Sequence, residues 1–224
     1  MKIKNYTIFD KNDSKNWNKL RDSEALTNYF TPSSRDEYIL KLKGYKINPE
    51  VENDLEYIIK KKSINKVFSL CSGSCELEYY IMNKFGLKCY VSDTTNSMKR
   101  IKDFNIFKQA SIIDITKPFK LKIDENSLLL LSRIDTEFED YQLENIFDNL
   151  NSLGAQIIYF IPAEILTIKS FLVNIKLIFA CFLKFKKPVS WGYIRSYYSF
   201  EKLWKKNYTS NSKNNFGLTL KKND

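Results

Sequence analysis

Residues 67 to 78, Val-Phe-Ser-Leu-Cys-Ser-Gly-Ser-Cys-Glu-Leu-Glu, concentrate the features that can hold a ligand. A short apolar run enters a bend of small side chains, and a helix-forming segment follows. Small residues let a backbone approach a bound molecule closely, and the start of a helix presents amides with no intrahelical partner. Twenty residues after Gly73, a second apolar run ends at Asp93. A carboxylate there can accept hydrogen bonds from both hydroxyls of a ribose. A third run ends at Asp114, where a carboxylate can read a purine amino group. The plainer alternatives are that Asp93 caps the helix opening at Asn96 and that Asp114 is a surface turn residue.

Other chemistries are excluded or weak. The chain has no histidine, which removes imidazole triads, shuttles and metal ligands. Four cysteines, Cys71, Cys75, Cys89 and Cys181, are too few for a disulfide scaffold. Cys71 and Cys75 lie four residues apart with no further thiol or imidazole beside them, so no metal site is expected. Cys75 at a helix start has either a lowered thiol pKa or a packing role. Glu76 and Glu78 favour the helix dipole.

The surrounding elements must position these residues. Residues 1–65 read as a helical cap. One helix is expected over Asn16–Phe30 with Trp17 and Leu20. A capping box at Ser33 and Ser34 with Asp36 and Glu37 opens another, which Gly44 stops. Asn48-Pro49 opens a third, carrying Val51, Leu55, Ile58 and Ile59. From Lys66 onward strands and helices alternate, with strands expected at 67–70, 87–92, 109–113, 127–132 and 155–161. The rhythm argues for a parallel sheet covered on both faces. Residues 165–185 are the most apolar stretch, but Lys169, Asn174 and Lys176 argue against a membrane span. A helix packed on the sheet, or one lying at an interface, is expected there. Trp191–Arg195, a helix over 199–206 and a last strand over 216–220 complete the chain.

This frame resembles the class I S-adenosylmethionine (SAM)-dependent methyltransferases. Their first motif runs apolar-apolar-acid-apolar-Gly-x-Gly-x-Gly. Residues 67–75 match it, with Ser69 at the acid, Cys71 and Cys75 at the outer glycines, and Gly73 retained. Tyr90-Val91-Ser92-Asp93, Ile112-Ile113-Asp114 and Leu130-Leu131-Ser132-Arg133 resemble the later motifs. The resemblance implies a Rossmann-like, doubly wound, mostly parallel seven-stranded sheet. It also implies a methyltransferase domain over 66–224, with a helical insertion at about 164–206. SAM is then the implied cofactor, held by Ser69, Cys71, Ser72, Gly73, Asp93, Thr94, Ile113, Asp114, Ser132 and Arg133. A positive φ at Cys71 would cost about 1–2 kcal/mol. Losing the acid at Ser69 removes an anchor for the cofactor's amino group.

Methyl transfer to oxygen or nitrogen calls for a proton acceptor, and Asp135, Glu137, Glu164 and Tyr197 are the candidates. Arg133, Trp191, Arg195 and Tyr198 are candidates for holding the acceptor substrate. The apolar 165–185 segment suggests a small-molecule, sugar or lipid-linked acceptor, and it allows peripheral membrane contact. The formal charge is +10, but only five of the basic residues are Arg, and the lysines are dispersed. Nucleic acid is therefore not the expected partner. Alternatives are a non-catalytic methyltransferase-like binding protein or a lysine-rich module for nucleic-acid or membrane surfaces. An NAD site fits the spacing from Gly73 to Asp93 but lacks G-x-G-x-x-G. No apolar leader follows Met1, so a cytoplasmic location is expected.

Overall fold

The computed structural model describes residues 1–7, 24–94, 96–183, 189–213 and 216–223. Trp17 and Leu20 lie outside the described residues, as does the side chain of Trp191. In chain order the elements are β1 (Lys2–Thr7), α1 (Glu24–Phe30), α2 (Arg35–Lys43), α3 (Pro49–Lys61), β2 (Lys66–Leu70), α4 (Glu76–Phe85), β3 (Lys88–Asp93), α5 (Asn96–Phe104) and β4 (Gln109–Ile112). There follow β5 (Ser127–Ser132), a 3-10 turn (Ile134–Thr136), α6 (Asp140–Ser152), β6 (Ile157–Ile161), α7 (Ile168–Leu183), β7 (Val189–Arg195), α8 (Tyr197–Trp204), β8 (Tyr208–Lys213) and β9 (Leu218–Lys222).

The main sheet runs β4-β3-β2-β5-β6-β9-β8. Its first five strands are parallel, and β9 is antiparallel to both β6 and β8. The order therefore reverses between β2 and β5. At such a switch point the flanking loops diverge and leave a crevice at the carboxyl ends of the strands.

Leu128 to Leu131 of β5 are fully buried, because helices cover both faces of the sheet. On one face Val67, Val91, Leu128 and Leu130 pack with Ile81 of α4 and with Tyr38, Leu42, Val51 and Leu55 from the N-terminal helices. On the other, Phe68, Leu70, Leu129 and Leu131 pack with Phe147 of α6 and with Phe200 and Trp204 of α8. The N-terminal helices thus complete the core of the sheet itself.

Several local expectations change. The first residues form a strand, with β1 paired antiparallel to β7, Lys2 opposite Arg195. A partner so distant in sequence leaves little local signal. Ser34 caps α2 without a side-chain hydrogen bond, so the expected capping box does not form. Asn48 does cap α3, its side chain accepting from the Glu50 amide. The polar strand β8, residues Tyr-Thr-Ser-Asn-Ser-Lys, has no apolar alternation to announce it and is held by pairing with β9.

Candidate functional site

The chain leaves β2 through Cys71-Ser72-Gly73-Ser74-Cys75. Three alternate residues are left-handed: Cys71 at φ 59°, Gly73 at 54° and Cys75 at 58°. The bend that the glycine motif favours is therefore kept by a backbone in which two of the three residues are cysteines. Each carries strain of about 1–2 kcal/mol, which the contacts around the bend hold in place. The Ser72 amide donates to the Ser92 carbonyl at 2.9 Å and the Cys75 amide to the Ser72 carbonyl at 2.9 Å. The buried Tyr38 hydroxyl donates to the Ser74 carbonyl at 2.7 Å.

The two thiols diverge. Cys75 is fully buried and joins the core, and burial pushes its thiol pKa well up. It is packing, with no reactive thiolate. Cys71 is half-buried and lines the crevice. A Cβ placed on Gly73 would meet no atom within 4 Å, so that residue turns its bare side to open space.

The crevice is a cavity of about 680 Å³, within the range of small-molecule and cofactor sites. Its floor is the β2 bend and the start of α4. Asp93 and Thr94 from the end of β3 form one side, with Asp114, Ile115 and Thr116 beyond them. Ser132, Arg133, Ile134, Glu137, Phe138 and Gln142 after β5 form the other, and Phe30 and Tyr45 come from the N-terminal cover.

Asp93 joins two walls. One carboxylate oxygen accepts from the Gly73 amide at 2.9 Å and the other from the Thr94 amide at 2.7 Å. Asp114 accepts from the Thr116 amide and hydroxyl at 3.0 and 2.6 Å and pairs with Lys117 at 3.1 Å. The Thr116 hydrogen bond leads the causes that hold its carboxyl below the usual range.

Glu78, whose place in the first turn of a helix suggests only a partner for the dipole, belongs to the crevice. It is buried on α4 and lines the cavity. Ser69, also buried, donates its hydroxyl to the Glu78 carboxyl at 2.5 Å. Burial raises the Glu78 pKa to about 7. Helical periodicity held the clue: position 78 lies three residues before Ile81 and next to Leu77, on the inward face. The strand position without an acid thus faces an acid supplied by the next helix.

No family model matches the chain, and no curated protein matches it by sequence. Solved structures do. The PH0226 protein from Pyrococcus horikoshii aligns at 14% identity and TM-score 0.57 over 88% of this chain and 96% of that one. Human N-acetylserotonin methyltransferase, crystallised with SAM, aligns at 12% identity and TM-score 0.56 over 95% of this chain and 66% of that one. The mitomycin 7-O-methyltransferase MmcR aligns at 10% identity and TM-score 0.59 over 92% of this chain and 60% of that one. The chain thus spans under two-thirds of the length of the two named methyltransferases.

The chain has the class I SAM-dependent methyltransferase fold.

Within that fold the residues singled out from sequence separate into three groups. Cys71, Ser72, Gly73, Asp93, Thr94, Asp114, Ser132, Arg133 and Glu137 line the crevice. Ser69 lies beneath it, and Ile115 takes the wall position expected of Ile113. Asp135, Glu164, Arg195, Tyr197 and Tyr198 lie off the cavity wall.

Arg195, expected at the substrate side, lies in the interior instead. It is fully buried. Its guanidinium donates to Asp140 at 2.9 Å, to the Phe138 carbonyl at 2.7 Å and to the Asp135 carbonyl. It clamps the turn after β5 from behind and is not among the residues lining the crevice. Asp135 is also buried, accepting from the Ala163 amide at 2.9 Å, and burial raises its pKa to about 6. Tyr197, the first residue of α8, packs against the core, and Tyr198 is exposed with Lys202 over its ring.

Proposed function

We propose that this protein binds SAM in the crevice between β2 and β5 and transfers its methyl group to a small-molecule acceptor. The observation that carries the reading is the pair formed by Gly73 and Asp93: a glycine facing open space, tied by its amide to a carboxylate at the end of the adjacent strand. Both stand at the switch point of a fold shared with a methyltransferase crystallised with SAM.

The residues present suit that ligand. Asp93 sets a carboxylate on the cavity wall for ribose hydroxyls, and Ile115 offers an apolar wall for a base. Glu78, beneath the bend, supplies the carboxylate for an ammonium that Ser69 cannot. SAM brings a methyl group already activated by a sulfonium, so the protein's task is alignment and exclusion of water. Phe30 and Tyr45 close the crevice from the N-terminal side. Arg133, exposed at the opposite wall, can hold an anionic group of the acceptor. Glu137 is the acid on that wall placed to take a proton from an attacking hydroxyl or amine.

A non-catalytic binding role is the second reading. It is favoured by one observation: of Asp135, Glu137, Glu164 and Tyr197, only Glu137 lines the cavity.

Calorimetry with S-adenosylhomocysteine tests the first step. Binding is expected in the micromolar range, and Asp93→Ala should weaken it by about 1.5–3 kcal/mol, as for a lost charged hydrogen bond. Failure of the wild-type protein to bind at millimolar ligand would overturn the reading. Binding without methyl transfer to any extract fraction supplied with labelled SAM would favour the second role.

A further inference from the structure

Helix α7 is built inside out. Its buried residues are Ser170, Asn174 and Cys181, a mostly polar stripe turned toward the protein. The opposite side exposes Ile168, Phe171, Leu172, Phe179, Phe182 and Leu183, with Phe179 at 65% and Phe182 at 77% exposure. Soluble surfaces scatter single apolar residues, but they rarely expose a contiguous set of large ones without a partner.

The charges carried by this stretch of sequence all have one sign. From Ile165 to Phe200 the sequence contains no Asp or Glu, while Lys169 and Lys176 lie on the helix and Lys184, Lys186 and Lys187 follow it. No helix among the described residues is long and apolar enough to cross a membrane. An apolar face flanked by lysines, too short to span, is the pattern of a helix lying in the interface of an anionic bilayer. A second copy of this chain fits less well. A two-fold contact through α7 would set lysines against lysines, with no acid on this stretch to answer them.

We propose that α7 docks the protein on an anionic lipid surface, its phenylalanines entering the acyl boundary and its lysines meeting the headgroups. The helix follows the loop that leaves the carboxyl end of β6, and that loop hydrogen-bonds to β7 through the Leu166 amide and the Arg195 carbonyl at 2.8 Å. Docking would therefore hold the cavity side of the sheet near the membrane. The inference stands apart from methyl transfer, because the surface is read without cofactor or acceptor.

Co-sedimentation with vesicles tests it. The protein should pellet with phosphatidylcholine–phosphatidylglycerol vesicles and bind phosphatidylcholine alone roughly tenfold or more weakly, with added salt releasing it. The double variant Phe179→Ser/Phe182→Ser, checked for unchanged circular dichroism, should lose binding to both. Lys169→Glu/Lys176→Glu should lose the preference for anionic lipid, and it provides the test should the first variant fold poorly. Absence of wild-type binding, or full binding by either double variant, would overturn the proposal. So would a dimer in size-exclusion chromatography that the phenylalanine variant splits into monomers.

Discussion

The bend after β2 and the turn after β5 do the same job from opposite sides of one crevice, yet they are held by different means. Both contain left-handed residues other than glycine: Cys71 and Cys75 in the bend, and Arg133 in the turn at φ 58°. Apart from the Tyr38 hydroxyl on Ser74, the bend is held from nearby in sequence. Ser69 and Glu78 are nine residues apart, and the Gly73 amide and Asp93 are twenty apart. The turn is held from a distance. Arg195 reaches Asp140, Phe138 and Asp135 across 55 to 60 residues, and Gly192 passes so close that an added Cβ would lie 1.8 Å from the Thr136 carbonyl oxygen. A motif can therefore lose its signature residues and keep its shape where the local frame survives. A turn with few hydrogen bonds of its own borrows rigidity from a strand distant in sequence.

The largest effect should come from breaking the distant support. Arg195→Met removes a buried charge and leaves the carbonyls of Asp135 and Phe138 without their donor. Lys2 still pairs with Asp140 at 3.2 Å, so the carboxylate is not stranded. A loss of about 3 kcal/mol is expected, a fall of roughly 6–12 °C in melting temperature for a chain of this size. An unchanged melting curve would mean that the turn after β5 supports itself, and the contrast between the two regions would fail.

That contrast also explains what was legible in sequence. The strand-bend-helix unit, the end of β3 at Asp93 and the alternation of parallel strands with helices could be read, because each strand and helix there carries its own apolar pattern. β1, β8 and the clamp by Arg195 could not. β1 is paired across almost the whole chain, β8 is polar, and an arginine near the expected substrate side looks the same on paper whether it faces a ligand or its own backbone. Glu78 was hidden for another reason. An acid in the first turn of a helix has a sufficient explanation in the dipole, and only its place on the apolar face of α4 argued for burial.

Glu78 gives a sharper and smaller test on the local side. With its pKa raised to about 7, the folded protein keeps a proton that the unfolded chain, near the ordinary glutamate value, releases. Stability from the neutral form is then present at low pH and declines as pH rises from about 4.5 through about 7. Asp135, raised to about 6, adds to the same decline. Cofactor binding should move the opposite way, because an ammonium needs the carboxylate. Affinity for S-adenosylhomocysteine should rise roughly five- to tenfold between about pH 6 and about pH 7.5, and Glu78→Gln should flatten that rise. An affinity with no slope in the wild-type protein would separate Glu78 from the ligand and leave it a partner of Ser69 alone.

The smallest effect concerns the two cysteines that replace glycine. Both adopt the same left-handed backbone, but only Cys75 is fully buried in the core, while Cys71 lines the crevice. Cys71→Gly relieves backbone strain and gives up little packing, so it should stabilise by about 0.5–1 kcal/mol, a rise of roughly 1–4 °C. Cys75→Gly relieves the same strain but empties a packed position, and the two contributions should cancel or leave a net loss. Differential scanning fluorimetry of the two variants reads the difference directly. Equal shifts would mean that strain alone governs both positions. Opposite shifts would show that the bend tolerates cysteine at 75 because the core uses its side chain, and at 71 only because its neighbours hold the backbone there.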